Sequence, residues 1–349
     1  GKPSPVKTVP SPTHKRVVVL GIDGMDPDIL QEAVTKFPER MKSFARLMSE
    51  GGVHLLATST PPQSPVAWSS FITGLDPGGH GVFDFIHRDP TTRGVATPTT
   101  KSSEPHNFGL WGDWQIPLGG DVESNRSGAP FWKILAEHGV PADIWRMPAN
   151  FPVEPSKGLS FSGMMTPAVD SAYGEYKLYT TDLLARESGE SGRTIPVREF
   201  DGRIDTYLRG PASPFRKDGE HATAPLVIRI DREAKAAAIE AGSKVFVLRP
   251  GEWSTFARVS FSFRGVPFGV ASVAGIVRFH LKSIEPTFEL YASPVNIDPI
   301  DPVAAVSAPK SASRVLAEAV GLYYTQGMPE DVNALKDRAL DDREFMAQS

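Results

Sequence analysis

The chain has 349 residues, with 37 Lys and Arg against 41 Asp and Glu, a formal net charge of −4 and a pI of about 6.1. This balance lacks the basic footprint of proteins that bind nucleic-acid polymers, so we expect no such partner. Cysteine is absent, which excludes disulfides and thiolate metal ligands and leaves Asp, Glu and His as candidate ligands.

Residues 1–15 (GKPSPVKTVPSPTHK) are rich in Pro, Ser and Lys and contain no apolar run. This composition predicts an extended tail or linker. Such tethers follow signal segments or membrane anchors, which favours an extracytoplasmic location, but they also occur as ordinary disordered termini. The compartment therefore stays open.

Residues 16–22 (RVVVLGI) form an uninterrupted apolar run that predicts a buried strand of a parallel sheet. Asp23 would then lie at the carboxyl end of that strand, where ligands bind in open α/β sheets. A carboxylate between two glycines at this position is a candidate metal ligand. The alternative is a simple Asp-Gly turn into a helix that Asp26 caps and Pro27 begins.

A second strand is predicted at residues 53–58 (VHLLAT), followed by a helix over residues 64–73. Ser64 is the expected N-cap, Pro65 the first helical residue and Gly74 the C-terminal stop. The positive end of the helix dipole would favour a phosphate beside the hydroxyl. No His is near Ser64 in sequence, so a metal is the expected activator if Ser64 is a nucleophile. The alternative is an ordinary capping serine.

Together, GIDGMDP at residues 21–27 and SPVAWSSFITGLDPGGHGVFDF from Ser64 onward resemble the type I phosphodiesterase/nucleotide pyrophosphatase family of the alkaline phosphatase superfamily. Further similar segments lie at residues 128–155, 162–167, 290–299 and 323–331. The resemblance implies that Asp23 and Ser64 bind one of two divalent metal ions, usually zinc. It also implies that Ser64 attacks the phosphorus of a small-molecule phosphate ester to form a phospho-enzyme.

The remaining metal ligands of that family are not recognisable in this chain. They come from an Asp with a His four residues on, an Asp-His pair before a Gly, and a later His. Two groups have ligand-like spacing, Asp84 with His87 and Asp89, and Asp218 with His221, but both are interpreted as solvated loops. The ligand set is therefore incomplete.

Two other polar residues have alternative interpretations. His80, in GGHG, is interpreted as a structural histidine that braces a turn, with catalysis as the second possibility. Asn150, in MPANFP, is a candidate substrate-binding residue, with a turn residue as the alternative. The preference for monoesters or diesters stays open.

The order of helix and strand patterns predicts an α/β fold with an alkaline-phosphatase-like, mostly parallel sheet flanked by helices. We expect residues 16–193 to form the first part of the catalytic core. Residues 194–291 are rich in alternating β patterns and predict an inserted β-rich domain, either a structural module or a substrate-selecting cap. Residues 292–349 are expected to return to the core as helices.

The pattern of residues 341–349 predicts a helix cut short and a C-terminal portion beyond it. The leading hypothesis is a metal-dependent hydrolase of phosphodiester or nucleotide pyrophosphate bonds. A C-terminal fragment or partner chain would complete its site, and these 349 residues alone are expected to be inactive. The alternative is a non-catalytic scaffold or interaction subunit that keeps the hydrolase fold.

Overall fold

The structure is a computed structural model that describes residues 16–88, 93–96, 100–102, 106–109, 115–118, 122–171, 174–185, 192–263 and 271–348. The chain divides into two compact units. We call Gly1–Thr99 with Asn125–Pro141 the N-terminal unit, and Thr100–Ser124 with Ala142–Ser349 the C-terminal unit. The predicted tail at residues 1–15 lies outside the described residues.

Helices are the main regular secondary structure in the described part of the N-terminal unit. Its elements are α1 (Pro27–Lys36), α2 (Pro38–Gly51), α3 (Ser64–Thr73), α4 (Pro77–His80), the short antiparallel pair β1 (His87–Arg88) and β2 (Val95–Ala96), and α5 (Phe131–Glu137). As predicted, Asp26 caps α1, and its Oδ1 accepts hydrogen bonds from two backbone N–H groups of the first turn. Proline lies at the start of α1, α2 and α3, and it made the start of α1 and α3 predictable.

The two strands predicted for this unit are not formed. Residues 16–22 and 53–58 are assigned neither to helix nor to strand, and their backbones make no hydrogen bonds among the described residues. Their apolar side chains lie in solvent; Val18 is 89% exposed and Leu56 is 95% exposed. The prediction was wrong for this chain because a buried strand needs neighbouring strands on both sides, and the described residues supply none.

The C-terminal unit is built mainly from antiparallel sheets. Two hairpin-like pairs come first, β3 (Thr100–Ser102) with β6 (Val122–Ser124) and β4 (His106–Gly109) with β5 (Gln115–Leu118). Then follow β7 (Ile144–Met147), β8 (Ser160–Ser162), β9 (Tyr176–Thr180), β10 (Gly192–Pro196), β11 (Arg203–Ala212), β12 (His221–Asp231), β13 (Ala236–Ala241), β14 (Lys244–Leu248), β15 (Ala257–Phe263), β16 (Ala271–Val277), β17 (Phe279–Ser283), β18 (Glu289–Ala292), β19 (Asn296–Ile297) and β20 (Ser307–Ala308).

The longer strands form three sheets. The largest has seven strands in the order β14-β13-β12-β15-β16-β19, with β11 also paired to β12. The second has the order β10-β9-β18-β17 and the third β20-β8-β7. Only β9 with β10 and β7 with β8 are parallel in the described part. The protein is therefore a mixed α/β protein, and the mostly parallel sheet predicted from the sequence is not what these residues form.

The core of the C-terminal unit lies between alternating strand faces. Along β15, every second residue is buried, and β11 and β12 show the same pattern over much of their length. The buried residues of the two largest sheets form one apolar cluster that includes Leu226, Phe261, Phe279 and Leu290. Period-two alternation is typical of a sheet with one buried face, which is why β-rich structure was predictable in this region.

The C-terminal residues form three short helices, α6 (Ala312–Val320), α7 (Val332–Lys336) and α8 (Asp342–Met346). A capping box between Asp341 and Glu344 begins α8. Glu344 also contacts Lys282 and His280 of β17, so contacts with the sheet hold this helix despite its short length. Among the described residues, no helix combines the length and apolarity that crossing a bilayer requires.

Candidate active site

The segment that carries Asp23 lies against α3. A Cβ atom at Gly21 would lie 2.5 Å from Cη2 of Trp68, so only glycine permits this approach. Gly24 follows Asp23 with φ +67°, a left-handed conformation that glycine adopts at little cost. The two glycines of the GIDG segment thus have separate tasks, close packing before Asp23 and a turn after it.

Asp23 and Ser64 are neighbours in space although 41 residues separate them in sequence. The Ser64 hydroxyl donates a hydrogen bond to Oδ1 of Asp23 at 3.1 Å. Asp23 is exposed and Ser64 is half-buried, so solvent reaches the pair. The structure therefore brings together the two residues that the sequence singled out, while their roles in metal binding and catalysis stay predictions.

The start of α3 differs slightly from the prediction. Gln63, not Ser64, is the N-cap, and no side chain caps the helix. Pro65 has no N–H, and the N–H groups of Val66 and Ala67 both donate to the Gln63 carbonyl oxygen. The Ser64 hydroxyl is thus not used as a cap. It is free to bond to Asp23. An anion beside it would be favoured mainly by the dipole of α3, and less by unused N–H groups of the first turn.

His80 lies within hydrogen-bond distance of a serine, Ser70, but the contacts of its ring indicate a structural role. The Val82 N–H donates to Nδ1 at 3.1 Å, so the proton of the neutral ring is on Nε2, which lies 3.0 Å from the Ser70 hydroxyl. Burial lowers the pKa of His80, and the Arg126 charge lowers this pKa further, whereas Asp76 opposes the shift. Because the Nδ1 lone pair is occupied and Nε2 carries the proton, His80 does not act as a base toward Ser70.

The described residues contain no cluster of three or more acidic or histidine side chains that would hold a metal ion. Asp84 accepts from the backbone of Phe85, and Asp218 accepts from Arg216, while His221 bonds to the Gly210 carbonyl. The side chain of His87 and the whole of Asp89 lie outside what is described. Asp23 and Ser64 thus contribute two oxygen donors, whereas zinc sites use three or four protein ligands.

Asn150 lies in the C-terminal unit and is 1% exposed. Its Nδ2 donates to the Ser160 hydroxyl and to the Phe161 carbonyl, and its Oδ1 accepts from the Glu154 N–H. These contacts occupy both ends of the amide and organise the loop after β7. A substrate contact by Asn150 stays a prediction that these hydrogen bonds do not favour.

A serine hydroxyl at a helix N-terminus, bonded to a carboxylate on an adjacent segment of a mixed α/β protein, defines a candidate nucleophile site for phosphate esters. The chain belongs to the type I phosphodiesterase / nucleotide pyrophosphatase family, whose profile matches residues 17–234 and so includes both side chains. This membership is consistent with the alkaline phosphatase superfamily, and the family is generally metal-dependent. Comparison with curated proteins gave no match, and comparison with solved structures gave none either.

Proposed function

We propose that the protein hydrolyses phosphodiester or nucleotide pyrophosphate bonds of small molecules, with Ser64 as the nucleophile. The observation that carries this proposal is the hydrogen bond from the Ser64 hydroxyl to Oδ1 of Asp23 at the first turn of α3. It joins the two motifs that first suggested the family resemblance, and both lie within the matched residues 17–234. Family membership supports phosphodiester chemistry, and this contact supports Asp23 and Ser64 as the residues that carry it.

Two features of the surroundings of Ser64 support a role in attack on phosphorus. The hydrogen bond to Asp23 orients its hydroxyl, and the positive end of the α3 dipole lies beside the position that a phosphate would occupy. Attack forms a bond from Oγ to phosphorus and breaks the bond from phosphorus to the leaving oxygen, which takes up the hydroxyl proton. The phospho-enzyme formed from a diester is then Ser64 joined through phosphorus to the remaining ester group. Water hydrolyses the bond from Oγ to phosphorus, which releases the monoester and restores the hydroxyl.

Two divalent ions, with zinc as the usual ion, are part of the proposal, but the described residues do not complete a site for them. Such ions lower the pKa of a bound hydroxyl and stabilise a leaving oxygen. Asp23 and Ser64 fit one side of a metal site and fall short of the number of ligands that zinc needs. We therefore propose that further polypeptide, a C-terminal fragment or a partner chain, supplies the other ligands.

The exposed apolar segments support the same requirement. Residues 16–22 and 53–58 carry the sequence of buried parallel strands, yet they lie in solvent with unpaired backbones among the described residues. Added strands on either side would bury these side chains and satisfy their N–H and C=O groups. We propose that the complete protein has the mostly parallel, alkaline-phosphatase-like sheet that these segments predict.

The test compares Ser64→Ala with Ser49→Ala in the natural gene product. Ser49 is a suitable control because its exposed hydroxyl on α2 donates to the Arg46 carbonyl of its own helix and has no other hydrogen bond within the described part of the chain. With bis(p-nitrophenyl) phosphate and added zinc, Ser64→Ala should abolish turnover and the ³²P-labelled covalent enzyme intermediate formed from a labelled diester. The Ser49→Ala variant should keep both. Unchanged turnover in Ser64→Ala would sink the assignment of the nucleophile.

A non-catalytic scaffold is the second candidate, and the observation in its favour is the incomplete ligand set within the described residues. Zinc analysis by mass spectrometry separates the two. A hydrolase should bind stoichiometric zinc as the natural gene product, whereas these 349 residues alone should not. A natural product that binds no zinc and turns over no diester would favour the scaffold.

A further inference from the structure

Two consecutive exposed side chains, Trp145 and Arg146, lie in the middle of β7. The strand pairs in parallel with β8, and its register shifts between Ile144 and Met147, which marks a bulge. In a regular strand, neighbouring side chains point to opposite faces, but both Trp145 and Arg146 are exposed here. Bulges occur beside functional sites, where they redirect a side chain. An aromatic ring and a guanidinium on consecutive residues are thus both exposed at this bulge.

The backbone around this bulge is strained. Arg146 has φ +51°, Ala149 in the loop after β7 has φ +58°, and Met165 in the loop after β8 has φ +79°. Residues other than glycine and asparagine rarely adopt such φ values, and each residue held in this conformation lowers stability. Strained residues cluster at binding and catalytic sites, and both loops follow the carboxyl ends of parallel strands, where ligands bind in α/β proteins.

The Arg146 guanidinium is held in place by one contact. Its NH2 group donates to the Gly327 carbonyl, from a segment far away in sequence. The remaining N–H donors of this exposed side chain have no partner among the described residues. A fixed guanidinium with open donors is suited to a carboxylate or phosphate, because its planar N–H groups match the oxygens of either anion.

The ring of Trp145, the residue before Arg146, provides a rigid aromatic surface. It stacks on Phe161 with ring centroids 4.6 Å apart and an angle of 16° between the planes. Phe161 is 4% exposed, whereas Trp145 is 51% exposed, so one face of the indole is supported and the rest is open. An aromatic ligand can stack on an open indole without further rearrangement.

We propose that Trp145 and Arg146 form a binding site for an aromatic anion, whose ring stacks on the indole and whose phosphate or carboxylate binds the guanidinium. The site is a property of the C-terminal unit and does not depend on the role of Ser64. A purely structural role for Arg146, that of holding the Gly327 segment, predicts a different result. In that case, replacing Arg146 would lower thermal stability, and even the unaltered protein would bind no aromatic anion.

The experiment follows the indole N–H resonance of Trp145 by NMR in the full chain, assigned through its loss in Trp145→Phe. Four probes separate the contributions: phenyl phosphate and benzoate carry ring and charge, methyl phosphate carries charge only, and benzyl alcohol carries the ring only. Saturable shifts are expected with the first two, and the tighter of them identifies the preferred anionic group. Methyl phosphate and benzyl alcohol should each bind at least roughly fivefold more weakly than the aromatic anions.

The variants are Arg146→Gln and the matched control Arg338→Gln, since Arg338 is also exposed and also has a positive φ, +60°. Arg146→Gln should weaken phenyl phosphate binding about tenfold, as the loss of a charged hydrogen bond predicts, and Arg338→Gln should not. Arg146→Gly removes the backbone strain and should still lose affinity, which covers the case of a poorly folded Gln variant. No saturable shift with either aromatic anion, or equal affinities in the Arg146 and Arg338 variants, overturns the proposal.

Discussion

Replacing Lys177 with Met removes the cation of an ion pair that water does not reach. The side chains of Lys177 and Asp170 are 1% and 3% exposed, and Nζ also donates to the Glu175 carbonyl at 2.7 Å. Oδ1 of Asp170 has no hydrogen-bond partner among the described residues. The Lys177→Met variant therefore leaves a buried carboxylate without its counter-charge.

The expected loss in free energy of unfolding near neutral pH is about 3–5 kcal/mol, the usual cost of breaking a buried ion pair from one side. Since domains are stable by roughly 5–15 kcal/mol in total, this loss brings the C-terminal unit close to unfolding. The double variant Lys177→Met/Asp170→Leu removes both charges. It should recover most of the loss, because a buried ion pair contributes little net stability relative to apolar side chains.

The pH dependence has a definite sign. Burial raises the pKa of Asp170, and the Lys177 charge opposes this rise. A carboxyl with a raised pKa binds a proton more readily in the folded chain than in the unfolded chain, so its contribution to stability improves as the pH falls through the folded pKa. Lys177→Met removes the opposing charge, so its deficit should shrink on acidification.

Urea unfolding followed by circular dichroism, at neutral pH and at about pH 5, measures all these quantities. The pair between Arg203 and Asp205 is the control, since both side chains are largely in solvent and Asp205→Asn should change stability little. A Lys177→Met variant as stable as the parent would refute the reasoning, and so would a double variant no more stable than the single one.

Three further predictions concern other described contacts. Burial lowers the pKa of His80 below its unfolded value near 6.5. The neutral ring therefore makes its full contribution to the free energy of unfolding above that pH, and the contribution is lost as the pH falls below it. Thermal unfolding from about pH 7.5 to 5.5 measures this loss. Gly21→Ala should destabilise the N-terminal unit by about 1–3 kcal/mol through its clash with Trp68, as proteolysis rates would show. Tyr291→Phe removes the 2.7 Å hydrogen bond to the buried Asp331 and should lower the free energy of unfolding by about 1–3 kcal/mol.

Each of these has a control within the chain. The acid-dependent loss should diminish in His80→Gln, and an unchanged pH profile there would exclude His80 as its source. Gly24→Ala places a Cβ in open space, so any loss of stability there comes from the positive φ alone. Trp68→Leu should relieve the destabilisation caused by Gly21→Ala and should leave that caused by Gly24→Ala unchanged. Tyr207→Phe, an exposed tyrosine, should leave stability unchanged where Tyr291→Phe does not.

Much of the local structure was predictable because local residue preferences decide it. Proline, aspartate and glycine mark the ends of α1 and α3 within about one residue. Alternation in residues 225–230 and 256–263 predicts β12 and β15, since one face of each strand is buried in the same cluster. These signals depend on neighbours along the chain, and those neighbours are present.

The failures concern partners that are distant in sequence. The apolar run at residues 16–22 shows which side chains favour burial, but it cannot show whether strands are available to cover them. The pairing of His80 with Ser70 gives no sequence signal either, because the contact depends on how α3 and α4 meet. The Asp23–Ser64 contact was expected from the family resemblance, and neither motif alone would have predicted the distance between the two side chains.

The exposed apolar segments at residues 16–22 and 53–58 affect how the protein behaves in solution. Exposed apolar side chains whose backbone groups make no hydrogen bonds among the described residues form a template on which other chains can add as strands, and β-aggregation follows that route. A net charge of −4 over 349 residues provides little repulsion against it. Where no added strands cover these segments, we expect them to limit the solubility of the chain, and a single gatekeeper change such as Val18→Lys should raise it more than charges added elsewhere.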